Sequence, residues 1–253
     1  MILTVDIGNT NISFAVFDGE EIKLMSRLAT ERRKTPDQYA VDIMSILYLY
    51  KVDTGLIEGA CISSVVPELN SALVEALGSI CKKVVLLAPG TKTGLNILIE
   101  NPAHLGADLA AGAVGAIAEY PLPAFVIDLG TATKIYAIDE NKSFLGGLIA
   151  PGVEISLNAL TSTSSQLPTI ALEAPSRACP KNTVECMQSG SVFGTACLID
   201  GILDRFAEEL GEPKTIVATG GLSSFIINEC KHDIIYDQNL IMKGLKVIYE
   251  KNK

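Results

Sequence analysis

The sequence contains no tryptophan and only two histidines, His104 and His232. Two imidazoles are too few for a histidine-based metal centre. The six cysteines at 61, 81, 179, 186, 197 and 230 are scattered, with no Cys-x-x-Cys spacing. That argues against a zinc ribbon or disulfide framework and fits reduced thiols in a cytoplasmic protein. Positive charge is also scarce: 20 Lys and Arg stand against 29 Asp and Glu, for a net charge of −9. The densest basic stretch is the short run Glu31-Arg32-Arg33-Lys34. A nucleic-acid partner needs a basic stripe, so none is expected. Long apolar runs are missing too. Leu109 to Ala118 falls well short of a membrane span, and Asp6 interrupts the apolar start Met1 to Val5. Neither a membrane segment nor a targeting segment is expected.

What is present is a globular composition, with 48 % hydrophobic and 19 % charged residues over 253 positions. Such a chain can bury a sizeable core in one large or two medium domains. An acidic balance does not exclude an anionic ligand. Phosphates are commonly met by backbone N–H groups and a metal ion, which a charge count does not register.

The chain repeats itself. Leu3-Thr-Val-Asp-Ile-Gly-Asn-Thr10 is echoed by Val126-Ile-Asp-Leu-Gly-Thr-Ala-Thr133. Each is an apolar strand running into Asp-x-Gly and then small polar residues. Each is followed by a second alternating strand (12–17, 134–138), a turn (Asp18-Gly19, 139–142) and a third strand (21–28, 143–149). Asp-Gly between alternating apolar runs is a hairpin signal. A period near half the chain implies a duplicated domain rather than a solenoid. Thr35-Pro36-Asp37-Gln38 carries a cap, a first-turn proline and a capping-box partner, predicting a helix to about Tyr50. Helices are also predicted over 67–80, 106–120, 152–160, 183–210, 222–229 and 240–250. Strands are predicted over 59–65, 83–87 and 215–218, with 161–182 mostly loop. This alternation is α/β.

The first loop, Asp6-Ile-Gly-Asn-Thr-Asn11, can bring backbone N–H groups close to a phosphate because Gly8 has no side chain. Asp6 would repel phosphate, so its chemical use there is to hold a divalent cation that bridges to phosphate oxygens. The plain alternative is a hairpin turn with an Asx bond. The second loop, Asp128-Leu-Gly-Thr-Ala-Thr133, strengthens the phosphate interpretation. A third glycine-rich element, Ala218-Thr-Gly-Gly221, follows a late strand. Asp108 is either a carboxylate base or a charge that settles the first turn of its helix. Thr183 is either a ligand contact or a plain helix cap.

Two such loops heading two similar halves resemble the actin, hexokinase and sugar-kinase superfamily. The implied architecture is α/β, with two duplicated ribonuclease H-like domains and a central cleft. Their expected extents are 1–120 and 121–253. The motifs Asp6-x-Gly-Asn-Thr10, Gly106-Ala-Asp108, Asp128-x-Gly-Thr-Ala132, Gly146-Gly-x-Ile-x-Pro-Gly152, Leu167-Pro168, Asn182-Thr183, Met187-Gln-Ser-Gly190 and Thr219-Gly-Gly221 narrow the resemblance. Together they are similar to type III pantothenate kinase, nearly end to end.

That resemblance implies ATP-dependent phosphorylation of pantothenate to 4'-phosphopantothenate, the first step of coenzyme A biosynthesis. It implies Mg²⁺ or a similar divalent ion, a monovalent cation (K⁺ or NH₄⁺), and a cytoplasmic homodimer. It assigns ATP binding to Asp6, Ile7, Gly8, Asn9, Thr10, Asn11, Ile12, Ser13 and Thr131. Pantothenate would meet Gly106, Ala107, Asp108, Leu109 and Thr183, with Asp108 as the catalytic base. Asp128 would sit at the monovalent cation and Asp6 at the divalent one, through phosphate.

The chain departs from the family pattern at three positions. Leu109 stands where most members have an arginine able to pair with the pantothenate carboxylate. Ile99 stands where many have tyrosine. Lys134 stands where threonine is common, and is expected to be a solvated strand residue, with a cleft-facing role as the alternative. Two other functions therefore stay open: a paralogous kinase for another small hydroxyl acceptor, and a catalytically silent accessory relative.

Overall fold

The structure is a computed structural model that describes residues 1–253. Its contacts divide the chain into two compact units. The first comprises residues 1–95, 100–119 and 239–253, and the second comprises 96–99 and 120–238.

The first unit opens with the expected hairpin strands, β1 (Ile2–Ile7), β2 (Asn11–Asp18) and β3 (Glu21–Ala29). Helix α1 (Pro36–Leu49) starts as its sequence signals require. The Thr35 hydroxyl accepts the Gln38 N–H, and the Gln38 side chain accepts the Thr35 N–H. Strand β4 (Gly59–Ser64), helix α2 (Asn70–Gly78), strand β5 (Lys83–Leu86) and, later in the chain, helix α3 (Ala107–Glu119) follow. The sheet order is β3-β2-β1-β4-β5, with the hairpins antiparallel and β1-β4-β5 parallel. Its central strands are buried on both faces. Leu3, Val5, Phe14, Ile43, Leu73 and Leu77 share one cluster, and Ile2, Phe17, Val114, Leu245 and Ile248 share the other.

The helix Leu240–Asn252, expected in the second half, belongs to the first unit. It lies against α3 through two glycines. A Cβ on Gly244 would stand only 2.8 Å from both the Ala111 carbonyl carbon and the Gly115 nitrogen. One on Gly115 would come within 3.1 Å of the Leu240 carbonyl carbon. Those are backbone atoms that cannot step aside, so only glycine permits this crossing.

The second unit contains β6 (Asn96–Ile97), β7 (Ala124–Leu129), β8 (Ala132–Ile138), β9 (Ser143–Pro151), α4 (Val153–Thr163), α5 (Thr183–Leu210), β10 (Thr215–Thr219), α6 (Ser223–Ile226) and β11 (Ile235–Tyr236). Its sheet order is β11-β10-β7-β8-β9-β6. Set aside the two-residue β6, and the order β9-β8-β7-β10-β11 repeats β3-β2-β1-β4-β5, with the same parallel and antiparallel relations. Phe125, Ile127 and Ile135 of the sheet pack with Val153 of α4, Ala196, Ile199 and Leu203 of α5, and Ile226 of α6.

Helix α5 is long and apolar enough to cross a membrane by length and composition, although no unbroken apolar run marks it in the sequence. Met187, Val192, Ala196, Ile199 and Leu203 lie on its buried side, as a helical period requires. The helix predicted over 222–229 is shorter than expected. It is one turn of α-helix, followed by a 3-10 turn at 227–229.

Candidate active site

The register of each sheet places the two loop aspartates at equivalent positions, each between a hairpin strand and a parallel strand. Asp6 is directly opposite Ser13 on β2 and Ser63 on β4. Asp128 is directly opposite Lys134 on β8 and Thr219 on β10. Directly opposed residues point to the same face, so each carboxylate meets the side chains of its neighbours.

In the first unit, the Ser63 hydroxyl donates to Asp6 Oδ1. This partner was not foreseen. The one signal for it is a pair of serines, Ser63-Ser64, ending a buried apolar strand. Ile7 and Ile12 are fully buried and anchor the loop, while Asn9, Thr10 and Asn11 are exposed. The Gly8 N–H donates to the Asn11 carbonyl at 2.9 Å, and Thr30 Oγ1 donates to the Gly8 carbonyl at 2.7 Å. Arg32 donates to Asn9 Oδ1 at 3.2 Å and pairs with Glu68 at 2.6 Å. The loop is therefore braced from behind, with its polar tip facing outward. A Cβ on Gly8 would stand 3.0 Å from the Asn11 carbonyl oxygen, so the tight return favours glycine.

Gly106, Ala107, Asp108 and Leu109 form the start of α3 and are all half-buried. Asp108 Oδ1 accepts the Leu109 N–H at 2.9 Å. A Cβ on Gly106 would stand 2.6 Å from that same Oδ1, so the glycine leaves room for this carboxylate rotamer. The glycine contact with helix 240–252 fixes α3, and with it the position of Asp108. His104 is exposed, with its Nε2 3.3 Å from the Asn101 amide nitrogen.

In the second unit, two glycine turns press against the second loop. A Cβ on Gly152 would stand 2.7 Å from the Thr131 carbonyl carbon, and one on Gly220 would stand 2.6 Å from the Leu129 carbonyl carbon. Gly220 also has φ +99°, a left-handed conformation. The Pro151-Gly152 and Thr219-Gly-Gly221 motifs thus converge on the loop that starts at Asp128. Gly130 donates its N–H to the Ala132 carbonyl at 3.2 Å, and Thr131 stays exposed.

Thr183 is not the cap of α5. The Asn182 side chain accepts the Glu185 N–H at 2.9 Å, leaving Thr183 as the first helical residue. Thr183 lines an open pocket of about 640 Å³ together with Thr133, Pro151, Leu160, Met187 and Leu198.

Lys134 differs from its expected solvated state. Its Nζ lies 2.6 Å from Asp128 Oδ2, and the two side chains are only 15 % and 9 % exposed. The cross-strand register produces this pair.

The chain matches the type III pantothenate kinase family over residues 2–205. It belongs to that family. A type III pantothenate kinase of Brevibacillus brevis is 40 % identical over 254 residues, covering all of both chains. One from a Geobacillus species is 41 % identical, covering all of this chain and 98 % of its own. Among solved structures, a Sinorhizobium meliloti protein described as a 2-dehydro-3-deoxygalactonokinase covers 99 % of this chain and 96 % of its own. Its TM-score is 0.58 at 12 % identity, a likeness of fold alone. The fold is thus sugar-kinase-like, α/β with two ribonuclease H-like domains, and the protein is a kinase by family.

Proposed function

We propose that this chain transfers the γ-phosphoryl group of ATP to the primary hydroxyl of pantothenate, with Asp108 as the base. The observation that carries this reading is full-length similarity to pantothenate kinases in a chain that retains Asp6, Asp108 and Asp128 on their expected elements.

The first loop is suited to a polyphosphate. Its exposed tip at 9–11 offers N–H groups, and Gly8 permits close backbone approach. Asp6 is a single carboxylate, and no group of three metal-ligating side chains occurs. Such a donor set suits a divalent ion coordinated mainly by phosphate oxygens. When bound, Mg²⁺ with ATP supplies charge neutralisation on the transferring phosphoryl group. The residues from Asp6 to Ser13, together with Thr131, bind and orient the nucleotide. Asp108 takes the proton of the acceptor hydroxyl as its oxygen attacks phosphorus. Thr183 gives the acceptor a hydrogen-bond partner.

We also propose a cytoplasmic homodimer, as family resemblance implies. Ile155 and Leu160 of α4 and Val184 and Leu198 of α5 are exposed apolar side chains that a second copy would cover. Light scattering on the purified protein tests this, and a monomer at micromolar concentration refutes it.

The activity test is chromatographic detection of 4'-phosphopantothenate and ADP from pantothenate and ATP-Mg²⁺. Asp108→Asn is expected to lower kcat by about 10²- to 10⁴-fold. Normal turnover in that variant would remove Asp108 as base. ATP binding without phosphorylation of pantothenate or any small alcohol would favour the accessory reading.

A further inference from the structure

Family resemblance assigns a bound K⁺ or NH₄⁺ to Asp128. The residues present do not fit such an ion, because a cation is already in place. Lys134 is directly opposite Asp128 in the antiparallel β7-β8 pairing, and its ammonium lies 2.6 Å from Oδ2. Both side chains are largely shielded from water, so this is not a loose surface pair. The first unit provides an internal comparison. There, the residue opposite Asp6 on the hairpin partner is Ser13, which brings no charge. The hairpin register thus sets a lysine opposite the second loop's aspartate and a serine opposite the first's.

An ammonium and a K⁺ ion are both compact monovalent cations. At hydrogen-bond distance from one carboxylate they would repel each other strongly in a poorly hydrated site. The lysine has the additional advantage of attachment: the ion's binding entropy is already spent in folding, so its occupancy does not depend on solution concentration.

We propose that Lys134 is a built-in monovalent cation: its ammonium, held on Asp128, replaces the K⁺ or NH₄⁺ at that carboxylate, and the protein works without either ion. The inference rests on the kinase reading above for the site's purpose, but not for its occupancy.

The experiment compares the wild-type protein with Lys134→Thr in chlorides of K⁺, NH₄⁺ and tetramethylammonium, each at about 0.1 M to hold screening constant. Phosphopantothenate and ADP are measured directly by chromatography. Wild-type turnover should differ by less than about twofold among the salts, while Lys134→Thr should fall about tenfold or more in tetramethylammonium and recover in K⁺. Melting temperature provides a readout without turnover. K⁺ should leave the wild type unchanged and raise Lys134→Thr by about 4 °C or more. Thallium-205 NMR should detect a bound ion in the variant only.

A wild-type rate or melting temperature that rises with K⁺ overturns the inference. So does a folded Lys134→Thr that ignores K⁺ in every readout. If the variant fails to fold, the wild-type salt comparison and thallium spectrum still decide the matter. Absence of pantothenate turnover in every salt would defeat the proposed reaction, while melting and thallium binding would still test the cation.

Discussion

Replacing Gly244 by alanine should weaken the protein far more than the addition of one methyl group suggests. The new Cβ would stand 2.8 Å from both the Ala111 carbonyl carbon and the Gly115 nitrogen. Non-bonded carbon contacts are comfortable at about 3.5–4.0 Å, so the helix backbones must separate by roughly an ångström. That separation lifts Leu245 and Ile248 from the cluster they form with Ile2, Phe17 and Val114. Overpacking of this kind costs about 1–3 kcal/mol, and backbone-to-backbone contact places Gly244→Ala at the upper end. About 3 kcal/mol lowers the melting temperature by roughly 6–12 °C for a chain of this size. Gly201→Ala is the matched control. It adds the same methyl within α5 at an exposed site where a Cβ meets nothing within 4 Å. That change should stabilise the protein by about 0.5–1 kcal/mol through helix propensity and lost chain entropy. Calorimetry on both variants reads the contrast. If Gly244→Ala melts within a degree or two of the wild type, the glycine crossing does not fix α3. Because α3 begins at the Asp108 turn, the reasoning also requires a fall in kcat that Gly201→Ala does not show.

Three other outcomes are expected. Ser63→Ala removes the donor to Asp6; if Asp6 serves the nucleotide, KM for ATP-Mg²⁺ should rise about tenfold or more, since a charged hydrogen bond contributes about 1.5–3 kcal/mol, and Ser63→Thr should restore it. An unchanged KM would separate Ser63 from nucleotide binding. Leu109→Arg should lower KM for pantothenate if the acceptor carboxylate lies within its reach, whereas unaltered kinetics would mean that this position does not meet the acceptor. Burial pushes the Cys61 and Cys230 thiols from 9.0 up to about 12. The folded state thus retains these protons where the unfolded state has released them. Stability should hold below pH 9 and decline between about pH 9 and 12, by up to ~1.4 kcal/mol per pH unit for each thiol. Urea midpoints across that range test the sign, and replacing both thiols by alanine should flatten the slope.

Much of the architecture was legible because its signals are local. Thr35, Pro36 and Gln38 specify the start of α1 by chemistry confined to one turn. The Asp-x-Gly echo disclosed the duplication because each copy heads a hairpin with the same alternation. Other features were hidden because they arise from distant contacts. The strands Asn96–Ile97 and Ile235–Tyr236 have two residues each, too few for any period to show. The placement of helix 240–252 depends on Gly115 and Gly244, which are unremarkable in sequence and become informative only where two backbones meet. The Asp128–Lys134 pair lay between these extremes. The hairpin was recognised, but its register decides that these residues share a face, and a slip of one position would have sent Lys134 to the other side.

The return of helix 240–252 to the first unit also bears on the order of folding during synthesis. A ribosome delivers the first unit's sheet early, yet the helix that covers one side of it emerges only after residues 120–238 have been made. The unit encoded later is nearly continuous, so it can close first, while its predecessor waits with apolar surface exposed. Chains ending at residue 238 and stalled through a flexible C-terminal linker long enough to clear the exit tunnel should therefore protect 120–238 from protease and leave the earlier segment vulnerable. Protection of both segments would show that the sheet does not wait for its last helix.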